Sequence, residues 1–104
     1  MKLLIDTSKV QFSVTRNPEA RNDQNGKQRF SKDGAPMWQT QLQALDETGG
    51  EILMVTVAGE KPNVTVQQLV SPVGLEAIPW NTNGKHGVAY RAEQLKPVAV
   101  TAGK

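Results

Sequence analysis

The chain has 104 residues, 38% of them apolar and 21% charged, with no cysteine and a formal net charge of +2. That length fits one domain, residues 1–104, with one modest core, and the lack of thiols excludes disulfide staples and thiolate metal sites. The opening MKLLIDTSKV is too short an apolar run for a signal peptide, and no window approaches the ~18 apolar residues of a membrane span, so a soluble, cytoplasmic protein is expected.

Elements follow in chain order. VQFSVTR alternates Val10, Phe12 and Val14 with polar residues, the period of a strand with one buried face. RNPEARNDQNGKQRF is a polar excursion or extended hairpin with its tip near Asn25-Gly26, expected to be mobile over about 17–28. After the Asp33-Gly34 turn and Pro36, MWQTQLQAL places Trp38, Thr40, Leu42 and Ala44 on one side and Gln39, Gln41 and Gln43 on the other. DETGGE turns the chain into ILMVTVAGE, apolar on both faces and therefore expected in the middle of a sheet. VTVQQLV, residues 64–70, fits a bulged strand better than a short helix. VGLEAIPW then leads through Asn83-Gly84 into GVAYRAEQL, with Val88, Tyr90 and Ala92 on one side, and VAVTAGK reads as a frayed end. Short strands at such turn spacing predict an all-β fold, and at this size a small barrel, because closure removes exposed edges.

Charge is uneven along the chain. Residues 16–32 hold five cations against two carboxylates, a net +3; residues 33–76 hold one against six, a net −5; residues 77–104 return to a net +3. Two basic segments flank an acidic middle, and a fold that joined them would present a surface suited to a polyanion.

Catalytic chemistry has little to stand on. The one histidine, His86, sits in a glycine-flanked turn, no set of residues has metal-ligand spacing, and Gly49-Gly50 lacks the lysine and glycine spacing of a phosphate loop. No enzyme, cofactor or metal is nominated. What remains is a binding module that interleaves rings with cations. Phe30, Trp38, Trp80 and Tyr90 are four of the five aromatics, and Arg29, Lys32, Lys85 and Arg91 lie close to them in sequence. Flat side chains beside cations are what an unpaired nucleic-acid strand requires. Trp38 and Trp80 fall at strand ends, where rims lie; Phe12, mid-strand, is expected to pack in the core, while Tyr90, also mid-strand, either packs there or joins Trp80 across the Asn-Gly turn as a second ring of the DNA-binding face.

LEAIPW, the glycine turn, GVAYRA and the terminal LKP, with KDGAPMW upstream, resemble the oligonucleotide-binding (OB) fold single-stranded-DNA-binding proteins, in particular small ones of actinobacterial plasmids and integrative elements, over residues 10–97. The resemblance implies a small five-stranded OB-type barrel with an extended N-terminal hairpin. It also implies stacking on Trp38 and Trp80, and a phosphate path along Arg16, Arg21, Lys27, Arg29, Lys32, Lys85 and Arg91. The function implied is non-catalytic binding of single-stranded DNA during replication or transfer of a mobile element. Two family features have no counterpart in the sequence: the acidic apolar tip of the housekeeping members, and a convincing helix between the third and fourth strands. Stacking and phosphate contacts serve RNA as well as DNA, so the residues leave that choice open. A homodimer or tetramer is expected on avidity grounds. The competing reading is a protein-interaction module of a replication or transfer complex, using the glutamine face and the acidic middle.

Overall fold

The structure, a computed structural model, describes residues 3–98. The frayed end expected at VAVTAGK lies, beyond Val98, outside the described residues. Eight strands follow in order: β1 Leu3–Leu4, β2 Gln11–Ala20, β3 Met37–Asp46, β4 Gly49–Ala58, β5 Leu69–Val73, β6 Glu76–Thr82, β7 Lys85–Arg91 and β8 Gln94–Pro97. They form one curled, barrel-like sheet ordered β1-β6-β7-β4-β3-β2-β5-β8, and no helix occurs among the described residues. The all-β, barrel-like expectation is met, with eight strand segments rather than five.

The larger count has a local cause. The β5–β8 ladder (Val70↔Pro97 to Val73↔Gln94) and the β6–β7 ladder (Glu76↔Arg91 to Thr82↔Lys85) share one register, so the four segments are the two arms of a single long hairpin. The arms bend at Gly74-Leu75 and Ala92-Glu93. Gly74 has φ +63°, a left-handed backbone conformation that glycine adopts without the strain a Cβ brings, which favours it at the bend. This hairpin meets both edges of the β2-β3-β4 meander: β5 pairs with β2 at Phe12↔Val70, and β7 pairs in parallel with β4 at Val55↔Tyr90 and Thr56↔Arg91. Both meander edges are thereby engaged, which is what curls the sheet.

Alternation decides the core. Phe12 and Val14 from β2, Leu42 from β3, Leu53, Val55 and Val57 from β4, and Val70, Leu75, Ala92 and Leu95 from the long hairpin are buried. Each large side chain taken fully out of water stabilises the fold by ~1.5–3 kcal/mol. Thr40 is also fully buried, and its hydroxyl has no hydrogen-bond partner.

Three local expectations are corrected. Residues 64–68 form a turn rather than a strand, with Val64 buried and Gln67 at φ +74°; the strand begins at Leu69. Asn17 to Ala20 belong to β2, whose register shifts at Arg16 accommodate Pro18. The second face of β4 is open: Ile52 is 55% and Met54 38% exposed, because they share the outward side of the sheet with Gln43 and Gln41, away from the core. No helix of the described residues is long and apolar enough to cross a membrane.

Candidate nucleic-acid interface

The outward face of β3, β4 and the β6–β7 hairpin is built by register. Gln39, Gln41 and Gln43 on β3 lie opposite Thr56, Met54 and Ile52 on β4. Thr56 lies beside Arg91, and Arg91 donates to Glu76 across β6–β7 at 3.1 Å, which fixes Arg91 and Glu76 on this same side. Alternation then carries Ile78 and Trp80 to it as well. The result is a ridge of amides and apolar side chains bounded by loops.

At one end stands the 21–36 excursion. It makes two tight turns, one closed by Asp23 and Lys27 around Asn25-Gly26, the other running from Ser31 to Ala35, with the bridges Asn22↔Gln28 and Phe30↔Pro36 between. The expected hairpin tip is therefore in place. Backbone bonds from Arg29 N to Arg21 O (2.7 Å), Arg21 N to Met37 O (3.0 Å) and Met37 N to Arg29 O (2.9 Å) knit the loop to the start of β3. They bring two arginines together. The half-buried Arg21 reaches back over the sheet and donates from Nη1 to Thr56 Oγ1 at 2.9 Å. Burial, and then the Arg29 cation, lower the pKa of the Arg21 guanidinium below its ordinary value. Among the described residues neither arginine has an ion-pair partner.

At the other end is the β6–β7 tip, Asn83-Gly84, with Lys85 exposed beside it. Because β7 runs parallel to β4, this tip lies toward the Gly49 end, away from the 21–36 loop. The two basic segments thus flank the outward face instead of merging. Trp80, 45% exposed, lies across its strand partner Gly87: a Cβ on Gly87 would sit 2.7 Å from Trp80 Cζ2. One face of the indole is covered by backbone and the other is open.

The remaining aromatics do not join it. Tyr90 is opposite Ala77 in the same ladder, so alternation turns it to the inward side, where it packs against the core. The two rings of the PWNTNGKHGVAYRA hairpin therefore lie on opposite faces. Trp38 is at the barrel rim as expected, but its Nε1 donates to Gly59 O at 2.8 Å and Lys61 Nζ stands 5.8 Å from its ring, so the ring is occupied in holding the β4 exit. Phe30 is 60% exposed within the 21–36 loop. Of the other cations, Arg16 is paired with Glu19 at 2.9 Å, Arg91 with Glu76, and Lys27 and Lys32 are exposed on the loop.

Sequence reading missed Ile52, Met54 and Thr56 as parts of this face, because an apolar run that is open on one side has the same pattern as one buried on both. Comparison with protein-family models, curated proteins and solved structures returned no match.

Proposed function

We propose that the chain binds single-stranded DNA without catalysis, on the outward face of β3, β4 and the β6–β7 hairpin, in a barrel of OB type. The observation that carries this reading is the Arg21–Arg29 pair: a half-buried guanidinium held against the sheet beside a second cation, with no carboxylate for either among the described residues. A phosphate chain supplies the missing counter-charge. The indole of Trp80, backed by Gly87, offers a flat surface for a base, and the Gln39-Gln41-Gln43 row offers donors and acceptors between the two.

Support for the OB assignment comes from counting arms. The five long arms are β2, β3, β4, β5 with β6, and β7 with β8, and the last two join the edges of the meander, as in a five-stranded, partly open barrel. In such barrels the ligand face lies between the loop joining the first two arms and the one joining the last two, here 21–36 and 83–84. Service in replication or transfer of a mobile element is what the sequence resemblance adds.

The test is fluorescence anisotropy of a labelled oligo-dT, with a duplex and an RNA of equal length as competitors, at two salt concentrations. Saturable binding that the duplex competes for poorly, and that Arg21→Met weakens, is expected. Absence of binding to any of the three at low salt overturns the reading; preference for the RNA moves the assignment to RNA.

A further inference from the structure

We propose that the nucleic-acid face is bounded at its Arg21–Arg29 end, so that the pair receives the end of a polynucleotide, a terminal phosphate monoester, in preference to an internal phosphodiester. The inference rests on the single-strand reading above and adds where the bound polynucleotide stops.

Outward side chains follow a fixed order along the long hairpin. Trp80 and Gly87 share one level, Ile78 and Ala89 the next, and Glu76 and Arg91 the third. Thr56, beside Arg91 on β4, holds Arg21 at that third level. Two residues further along the hairpin, roughly 7 Å on, stands Glu93, its side chain against Gly74. A polynucleotide laid from the indole toward the arginines meets these levels in turn.

Past the arginines the surface becomes acidic. An open pocket between the Ser31–Ala35 turn, Ala58 at the β4 exit and the hairpin carries the carboxylates of Asp33, Glu76 and Glu93. Arg91, the one cation lining it, is taken by Glu76. Asp33 and Glu93 make no ion pair among the described residues, and Lys32, next to Asp33 in the chain, lies outside the lining. Charges about 7 Å apart fall within the ~8 Å screening length of physiological salt, so a phosphate chain continued beyond Arg21 is repelled.

The pair itself calls for more than a diester gives. A guanidinium presents five N–H donors in a fork, and Arg21 spends one of them on Thr56. An internal phosphodiester returns two free oxygens and a single negative charge. A terminal monoester returns three oxygens and a charge of about −1.5 to −2 at neutral pH, which matches two guanidiniums. The acidic pocket and the doubled cation therefore select the same ligand, one by stopping the chain and the other by rewarding its end.

The experiment measures anisotropy of oligo-dT labelled on an internal base, titrated with the full chain, in four forms: 5′-phosphate, 3′-phosphate, hydroxyl at both ends, and a covalently closed circle. Arg29→Met, and Asp33→Asn combined with Glu93→Gln, all at exposed positions, are measured beside the parent. A phosphorylated form is expected to bind about ten-fold tighter than the hydroxyl form and the circle, and which of the two does so assigns the polarity of the bound strand. Arg29→Met should lose that preference, and the carboxylate variant should narrow it by admitting the circle. Equal binding of all four forms overturns the proposal and leaves single-strand binding standing, whereas no binding of any form overturns both. An unchanged preference in both variants also overturns it. So does displacement of the phosphorylated form by inorganic phosphate at the oligonucleotide's own concentration, since the site would then read phosphate alone.

Discussion

At the scale of single residues, the pairing of Trp80 with Gly87 connects local geometry to binding. The indole lies flat because its cross-strand neighbour has no Cβ, so any side chain at Gly87 must displace it. Trp80→Ala is expected to lower oligo-dT affinity by ~1–3 kcal/mol, the range for removing one stacking partner. Gly87→Val should weaken binding in the same direction while retaining the tryptophan; anisotropy titration of both variants checks this, and full affinity in Gly87→Val would mean the ring need not lie flat. Thr40 is informative about stability instead. Its hydroxyl is fully buried without a partner, and Thr40→Val is expected to raise stability by ~1 kcal/mol, read as a higher midpoint in urea unfolding.

At the scale of elements, the β3–β4 connection shows how a two-residue turn is held. Asp46 accepts from Thr48 Oγ1 at 2.6 Å and from Thr48 N at 2.8 Å, and these bonds, the side-chain one first, lower its pKa from the ordinary 3.8. A carboxylate whose folded-state pKa is depressed contributes stability that is fully present above its unfolded pKa and is lost as pH falls through the folded value. Thr48→Val should therefore be less stable than the parent near neutrality, and the gap should close in acid below pH 3.8, measured by thermal unfolding across pH. The long hairpin illustrates a different control. Its register is continuous, yet the Gly74 bend lets one half join β2 and the other reach β4, and a straight hairpin could not serve both edges.

At the scale of the whole molecule, charge is distributed along the strands. β4 alone spans ten residues, about 30 Å, with the Arg21–Arg29 pair at its exit and the Asp46, Glu47 and Glu51 carboxylates at its start. The modest net charge of +2 therefore conceals an uneven distribution, with cations alone in the Arg21–Arg29 pair and Lys9 and Lys85 mixed with carboxylates at the far end. A strand of DNA held by the outward face and its flanking loops would neutralise roughly four to six phosphates, so log affinity should fall with log salt at about 0.7 per contact. A slope near zero in a salt titration of oligo-dT binding would remove electrostatics from the account.

Taken alone, the sequence determined the elements. Alternation of Val10, Phe12 and Val14, and of Trp38 to Ala44 against the glutamines, located the β2 and β3 strands, while Asn25-Gly26, Asp33-Gly34 and Asn83-Gly84 located the turns. These are short-range signals: a period of two and a glycine at positive φ are set by neighbouring residues. Only the tertiary structure decided which of those strands found partners on both sides. It opened Ile52 and Met54 to solvent, turned Tyr90 inward and Trp80 outward, gave Trp38 a partner in Gly59, and set the two basic segments at opposite ends of one face. Each of those outcomes depends on register and strand order between segments far apart in the chain, and a register moved by one residue would reverse every face while leaving the local pattern unchanged.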